Sequence, residues 1–173
     1  MVFGRPSKAE RDHAFSVFME QSSASLMRTA WLLTGNRDQA SELVQAALVK
    51  TYAAWSRVRE DQALAYARRV LINQRTDTWR ATRGETAYPQ VPERADLDAG
   101  GGAGVEHRDE IVRLLRTLPE QQRKVVILRY YQDLSEQAVA DLLGISVGSV
   151  KSAASRGLAS LRTHLATTSG GTQ

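Results

Sequence analysis

Apolar residues in the first part of the chain recur at three- and four-residue steps, the period of a helix face turned toward a core. From Ala14 onward, Phe15, Phe18, Met19, Leu26, Met27, Ala30 and Leu33 form one such stripe. Thr34-Gly35-Asn36 is placed to stop it. Asp38 is placed to cap a second helix, whose stripe is Leu43, Val44, Ala47, Leu48, Tyr52 and Trp55. The polar run 56–61 breaks the pattern. A third helix, from Ala63 to about Thr82, is then expected on Leu64, Ala67, Val70, Leu71 and Trp79.

Residues 84–105 lose the period altogether. They hold two prolines and five glycines, the composition of a flexible linker. Beyond them Ile111, Val112, Leu114, Leu115 and Leu118 form an amphipathic stretch. Pro119 suits the first turn of a further helix carrying Val125, Val126, Leu128 and Tyr130. Two more helices are expected over Glu136–Leu143 and Val147–Leu165, and residues 167–173 as a disordered tail. No β alternation of useful length and no internal repeat occurs. The fold expected is all-α, with small helical domains at 12–83 and 106–166 joined by the linker at 84–105.

Charge sharpens this division. Net charge is +4, but residues 1–83 carry 13 Lys/Arg against 8 Asp/Glu, the linker 1 against 4, and residues 106–173 carry 9 against 7. Two basic blocks flank an acidic joint, which favours a polyanionic partner. With no cysteine, disulfides, thiol catalysis and thiolate zinc sites are excluded. The histidines, His13, His107 and His164, fit no ligand spacing, so no metal and no cofactor is expected. Neither a long apolar run nor a hydrophobic signal core is present, so a cytoplasmic protein without membrane insertion is expected. Gly100-Gly101-Gly102-Ala103-Gly104 lacks a following Lys-Ser/Thr and is no nucleotide loop. No nucleophile–base pair or paired-carboxylate arrangement suggests an enzyme.

Residues 135–156, SEQAVADLLGISVGSVKSAASR, have the spacing of a helix-turn-helix. Ala140 is small at the helix crossing. Gly144 follows at the turn, where a positive φ is cheap for glycine. Val150 anchors the second helix, and Val139, Leu143 and Ile145 complete the core. Ser135 and Ser146 sit where each helix needs an N-cap. No acidic residue follows Asp141, while Lys151, Arg156 and Arg162 lie ahead. Such a second helix suits the major groove. The candidate contacts are Ser146, Ser149, Lys151, Ser152, Ser155 and Arg156.

A second candidate surface lies in ALAYARRVLINQRTDTWRATR, residues 63–83. Here Arg68, Arg69, Arg75, Arg80 and Arg83 stand against Asp77, interleaved with Tyr66, Asn73 and Trp79. Cations and aromatics together suit a strand with unstacked bases.

The order of these features resembles the extracytoplasmic-function sigma factors of RNA polymerase, especially the actinobacterial sigma-E-like branch. LLTGNRDQASELVQAALVKTYAAW resembles that family's core-polymerase-binding helix, with Glu42-Leu43-Val44-Gln45 at its centre. AYARRVLINQRTDTWR resembles the segment that melts and reads the minus-ten element. LPEQQRKVVILRYYQDLSEQAVADLLGISVGSVKSAASRGLASLR resembles the reader of the minus-thirty-five element. The chain departs at Ala46, where an acidic residue is common, and at Thr78, where a bulkier one is frequent. Ala153 and Ser155 are also small for a recognition helix.

The resemblance implies a sigma domain two-like unit and a sigma domain four-like unit. The first would bind core polymerase through Glu42, Leu43, Val44, Gln45 and Leu48. It would engage minus-ten DNA through Arg68, Arg69, Asn73, Arg75, Trp79 and Arg80, and capture an everted base with Asn73 and the 56–62 loop. The second would hold minus-thirty-five DNA. The expected role is a non-catalytic specificity subunit that directs promoter recognition, melting and initiation. Its expected partners are core RNA polymerase and promoter DNA. An anti-sigma factor is common in the family, and a monomer is expected before assembly. The alternative is a stand-alone helix-turn-helix regulator, which needs no polymerase-contacting helix and no basic Asn/Arg/Trp helix. A purely structural interaction module would leave both basic surfaces unexplained.

Overall fold

A computed structural model describes residues 6–84 and 103–169, with side chains at 6–75 and 109–167. Among the described residues every regular element is helical: α1 Lys8–Thr34, α2 Arg37–Ala54, a 3-10 turn Glu60–Gln62, α3 Ala63–Gly84, α4 Ala103–Arg116, α5 Glu120–Val126, a π turn Ile127–Tyr131, α6 Glu136–Leu143 and α7 Val147–Ser169. They form two compact units. One holds the chain up to Ala30 and from Arg37 through α3; the other holds Trp31–Asn36 and α4 through α7.

In the first unit α1 begins earlier than the apolar stripe suggests. Ser7 and Glu10 form a capping box: Glu10 N–H donates to Ser7 Oγ at 3.2 Å, and Ser7 N–H donates to Glu10 Oε2 at 2.7 Å. The Ser-x-x-Glu signature was present in the sequence. Gly35, at φ 66°, turns the chain beyond α1. Because α2 starts at Arg37, Asp38 lies inside its first turn instead of capping it, where its charge still suits the positive helix end.

Between α2 and α3 the core consists of Ala40, Leu43, Val44 and Ala47 on one side and Ala63, Ala67, Leu71 and Ile72 on the other. Alanines at these positions let the helices approach closely. Leu26 and Ala30 of α1 are also inaccessible. Three hydroxyls are buried with their helices' own carbonyls as acceptors: Ser22 to Phe18 O, Thr29 to Ser25 O and Thr51 to Ala47 O. Their polar cost is thereby met locally.

The second unit packs α5 and α6 on α7, with α4 also against α7. Its core is Val112, Leu115, Leu118, Val125 to Leu128, Val139, Ala140, Val150, Ala153 and Ala154. Pro119 stands one residue before α5. The π turn shifts the register, so Tyr130 leaves the apolar set expected for it and is 53% exposed. Ile111 likewise faces outward. Helix α3 runs through Gly84 and α4 starts at Ala103, so both ends of the expected linker are helical. Linker residues 85–102 lie outside the described residues. Helix α7 continues through Ser169, past the start expected for the tail; residues 170–173 lie outside the description.

Candidate nucleic-acid interface

Local chemistry builds the helix-turn-helix. Ser135 Oγ accepts a hydrogen bond from Ala138 N–H at 3.1 Å and caps α6. Gly144 ends α6 at φ 65°, ψ 37°, and its N–H donates to Ala140 O. Ile145 N–H also donates to Ala140 O, at 3.1 Å, closing a Schellman-type turn. Ser146 Oγ then accepts from Ser149 N–H at 3.1 Å, starting α7. Val139 and Val150 are inaccessible and Ala140 is 3% exposed. Leu143 and Ile145, expected in this core, are half-buried.

The orientation of α7 sorts the candidate residues. Val150, Ala153, Ala154 and Gly157 turn inward. Ala153, read in sequence as a small recognition residue, therefore belongs to the core. Ser149, Lys151, Ser152, Ser155 and Arg156 are exposed, and the last four line one open concavity. At 100° per residue, Ser152 and Ser155 occupy its middle, with Lys151 and Arg156 on its two flanks. Small residues between cations let the helix axis approach a duplex while both charges reach past it. Ser146 and Ser149 are exposed too, but they share a 2.9 Å hydroxyl contact that serves the cap. Lys151 Nζ lies 3.7 Å from Glu136 Oε2 across the turn, an exposed and weak ion pair that leaves the lysine head able to move.

Helix α3 splits its arginines. Arg69 and Asn73 are exposed one turn apart, while Tyr66, on the same face, is half-buried. Arg68 instead faces α1, where its Nη2 donates to Ser25 Oγ at 3.4 Å. Burial lowers the pKa of the Arg68 guanidinium from the ordinary arginine value. Arg75 is also half-buried. Both Nε atoms lack a hydrogen-bond partner among the described residues. These two side chains spend their stems covering the domain. Trp79 and Arg80 lie on the α3 backbone, with side chains outside the described residues.

Helix α2 sorts its five candidates similarly. Leu43 and Val44 are core, Leu48 is half-buried, and Glu42 and Gln45 are exposed. Val49 shares the outer face of Glu42 and Gln45 and is 69% exposed, a residue the sequence reading missed. Its signal was an apolar residue out of phase with the buried stripe. Among the described residues, no cluster of His, Cys, Asp or Glu is fit to hold a metal, and no helix is long and apolar enough to cross a membrane.

The chain matches the family models "Sigma-70 region 2" over residues 18–85 and "Sigma-70, region 4" over residues 108–161. It is 38% identical over 156 residues to the RNA polymerase sigma-E factor of Streptomyces coelicolor, covering 87% of this chain and 85% of that protein. Among solved structures, CnrH in complex with the cytosolic domain of CnrY superposes with a TM-score of 0.66 at 20% identity, covering 90% of each chain. The sigma factor RpoE from Bartonella quintana, in complex with the anti-sigma factor NepR, superposes with a TM-score of 0.61 at 21% identity. That match covers 87% of this chain and 96% of the other. At those identities the structural likeness speaks for the fold.

Proposed function

The chain belongs to the sigma-70 family of RNA polymerase sigma factors, in the extracytoplasmic-function, sigma-E-like type, and on that footing we propose how its parts divide the work. Sigma factors act with core polymerase on promoter DNA and are themselves non-catalytic specificity subunits. In the reading proposed here, α7 holds the minus-thirty-five element. Lys151 and Arg156 flank the groove, while Ser149, Ser152 and Ser155 face the base edges. Arg156, with a planar fork of donors, is the candidate guanine reader; Lys151 contacts phosphate or base.

The minus-ten element falls to the exposed face of α3. Asn73 and the 56–62 loop take the everted base, and Arg69 and Arg80 neutralise phosphate. Trp79 remains in the proposed set. Arg68 and Arg75 act mainly by holding α3 in place. On α2, Glu42, Gln45 and Val49 form the polymerase contact, with Leu48 at its edge and Leu43 and Val44 supporting it from the core. Melting is driven by binding free energy and involves no covalent step. The protein works in the cytoplasm as a monomer until it joins polymerase, and an anti-sigma factor is its proposed regulator.

The observation that carries the DNA-reading proposal is the exposed, acid-free start of α7, with cations on both sides of a line of serines. The test is run-off transcription from a promoter it serves, with and without core polymerase. Binding of the isolated chain to duplex promoter should be weak, and specific initiation should appear once core enzyme is added. A tight sequence-specific footprint by the chain alone would instead favour the stand-alone regulator.

A further inference from the structure

The aliphatic core of the first unit is closed, with Leu26, Leu71 and Ile72 essentially inaccessible. Its aromatic residues behave differently. Phe15 and Phe18 of α1 meet Tyr52 of α2 and Trp55, the residue just after α2, at the rim of the unit. Phe15 sits edge-on to Trp55, with centroids 5.1 Å apart and planes at 82°, and edge-on to Tyr52 at 5.0 Å and 61°. Phe18 lies 5.1 Å from Trp55 and 5.9 Å from Phe15. Tyr52 Oη donates to Asp12 Oδ1 at 2.6 Å, tying the first turns of α1 to the last turn of α2. Phe15, Phe18 and Trp55 are half-buried and Tyr52 is 44% exposed, so the cluster is a poor means of gaining burial alone.

Its position supplies another use. Trp55 is the residue from which the 56–62 loop departs. The loop's first residues hang from the same turn: Arg57 N–H and Val58 N–H both donate to Ala54 O, at 2.8 and 3.1 Å. At the far end Arg59 grips Asp61 through two hydrogen bonds of 3.1 and 3.0 Å, just before α3. The side chains between are exposed except for half-buried Val58. Trp55 thus lies inside the turn that starts the loop, between the Ala54 carbonyl and the two N–H groups that bond to it, and its own N–H donates to Tyr52 O at 3.0 Å.

We propose that Phe15 is a positioning residue: by packing edge-on against Trp55 and Tyr52 it seats the 56–62 loop in the conformation that selects the everted minus-ten base. Helix α1 is thus part of base selection without touching DNA. The inference rests on the proposed role of the loop as a base reader.

The test uses holoenzyme reconstituted with the full chain, a randomised single-stranded DNA pool as probe, and sequencing of the bound fraction. Phe15→Leu should lower enrichment of the preferred base roughly fivefold, in keeping with loss of aromatic edge contacts. Affinity for core polymerase and the circular-dichroism spectrum should not change, and Phe15→Tyr should restore selection. A parallel variant carries glycine and serine in place of residues 56–59. If that variant loses base selection while Phe15→Leu keeps it, the seating role is wrong and the loop's role stands. If neither loses it, the loop does not read a base and both ideas fall. A fall in core affinity parallel to the fall in selection would mark Phe15 as merely structural and overturn the proposal.

Discussion

The Asp12–Tyr52 hydrogen bond joins two exposed groups, and its mark is a pH dependence. The bond from Tyr52, helped by the charges of Lys8 and Arg11, holds the Asp12 carboxyl below the usual aspartate value. The same bond pushes the Tyr52 hydroxyl above the usual tyrosine value. For the depressed acid, the stabilising contribution is present above the unfolded-state value and is lost as pH falls through the folded one. For the raised tyrosine it is present below the unfolded value, about 10, and is lost as pH rises through the folded one. We predict that Asp12→Asn lowers the Tm at neutral pH slightly and flattens the acid limb of Tm against pH. Glu10, also held low by its bonds to Ser7, remains in both proteins, so the difference reports Asp12 alone. Superimposable acid limbs would refute the assignment.

Arg68 and Arg69 illustrate what single residues disclose. The sequence shows that α3 is rich in arginine, and that much is composition. The stripe Leu64, Ala67, Val70 and Leu71 places Arg69 on the far side of the helix and Arg68 at the stripe's edge; what it does not show is the partner that Arg68 meets. Arg68 turns toward Ser25 and Arg69 toward solvent. Arg69→Ala is therefore expected to reduce the salt dependence of holoenzyme binding to melted promoter by about one counterion unit. Arg68→Ala should leave that slope unchanged and lower the Tm. Equal slopes for Arg69→Ala and the parent protein would remove Arg69 from the phosphate contacts.

Between elements, two glycines of the second unit make a controlled comparison. An added Cβ at Gly144 meets nothing within 4 Å, so its constraint is the left-handed backbone alone. Gly144→Ala should cost about 1–2 kcal/mol. At Gly157 the backbone is helical, and alanine alone would favour the helix by about 1 kcal/mol. The new Cβ would, however, lie 2.8 Å from Val126 Cγ2, where α5 crosses α7. Overpacking at such a crossing costs about 1–3 kcal/mol, so Gly157→Ala should be destabilising on balance. Adding Val126→Ala should recover part of that loss, whereas it should not relieve Gly144→Ala. Chemical denaturation of the four variants checks this. A Gly157→Ala protein as stable as its parent would show a looser crossing.

The same contrast explains what could be read beforehand. The two caps and the left-handed glycine of the helix-turn-helix are local devices, governed by residues within a turn of one another. Ser135, Gly144 and Ser146 therefore disclosed their geometry in sequence. The π turn at Ile127–Tyr131 has no such signature in the sequence, and within it Tyr130, read into the apolar set, is exposed. Similarly, α2 announced its length and capacity to pack. Its stripe also marked Leu43 and Val44 as core and left Val49 out of phase; what it did not show is that Tyr52, read into that stripe, is 44% exposed.

For the whole molecule, the separation into two units makes a kinetic prediction. Arg156 belongs to the unit proposed to grip duplex DNA, and Asn73 to the unit proposed to hold a base removed from the stack. Losing a bidentate base contact typically costs about 1–3 kcal/mol wherever that contact is made. The Arg156→Ala loss should therefore be the same on an intact promoter and on one already unpaired at the minus-ten element. Asn73→Ala should impair opening of the intact promoter, where captured bases must offset the cost of unstacking. On the unpaired template most of that cost is already met, so the deficit should shrink. Open-complex formation by the reconstituted holoenzyme, measured on both templates with single and double variants, separates the two roles. An Arg156→Ala deficit that vanished on the unpaired template, or an Asn73→Ala deficit that did not, would mean that the two units do not divide duplex gripping from base capture in this way.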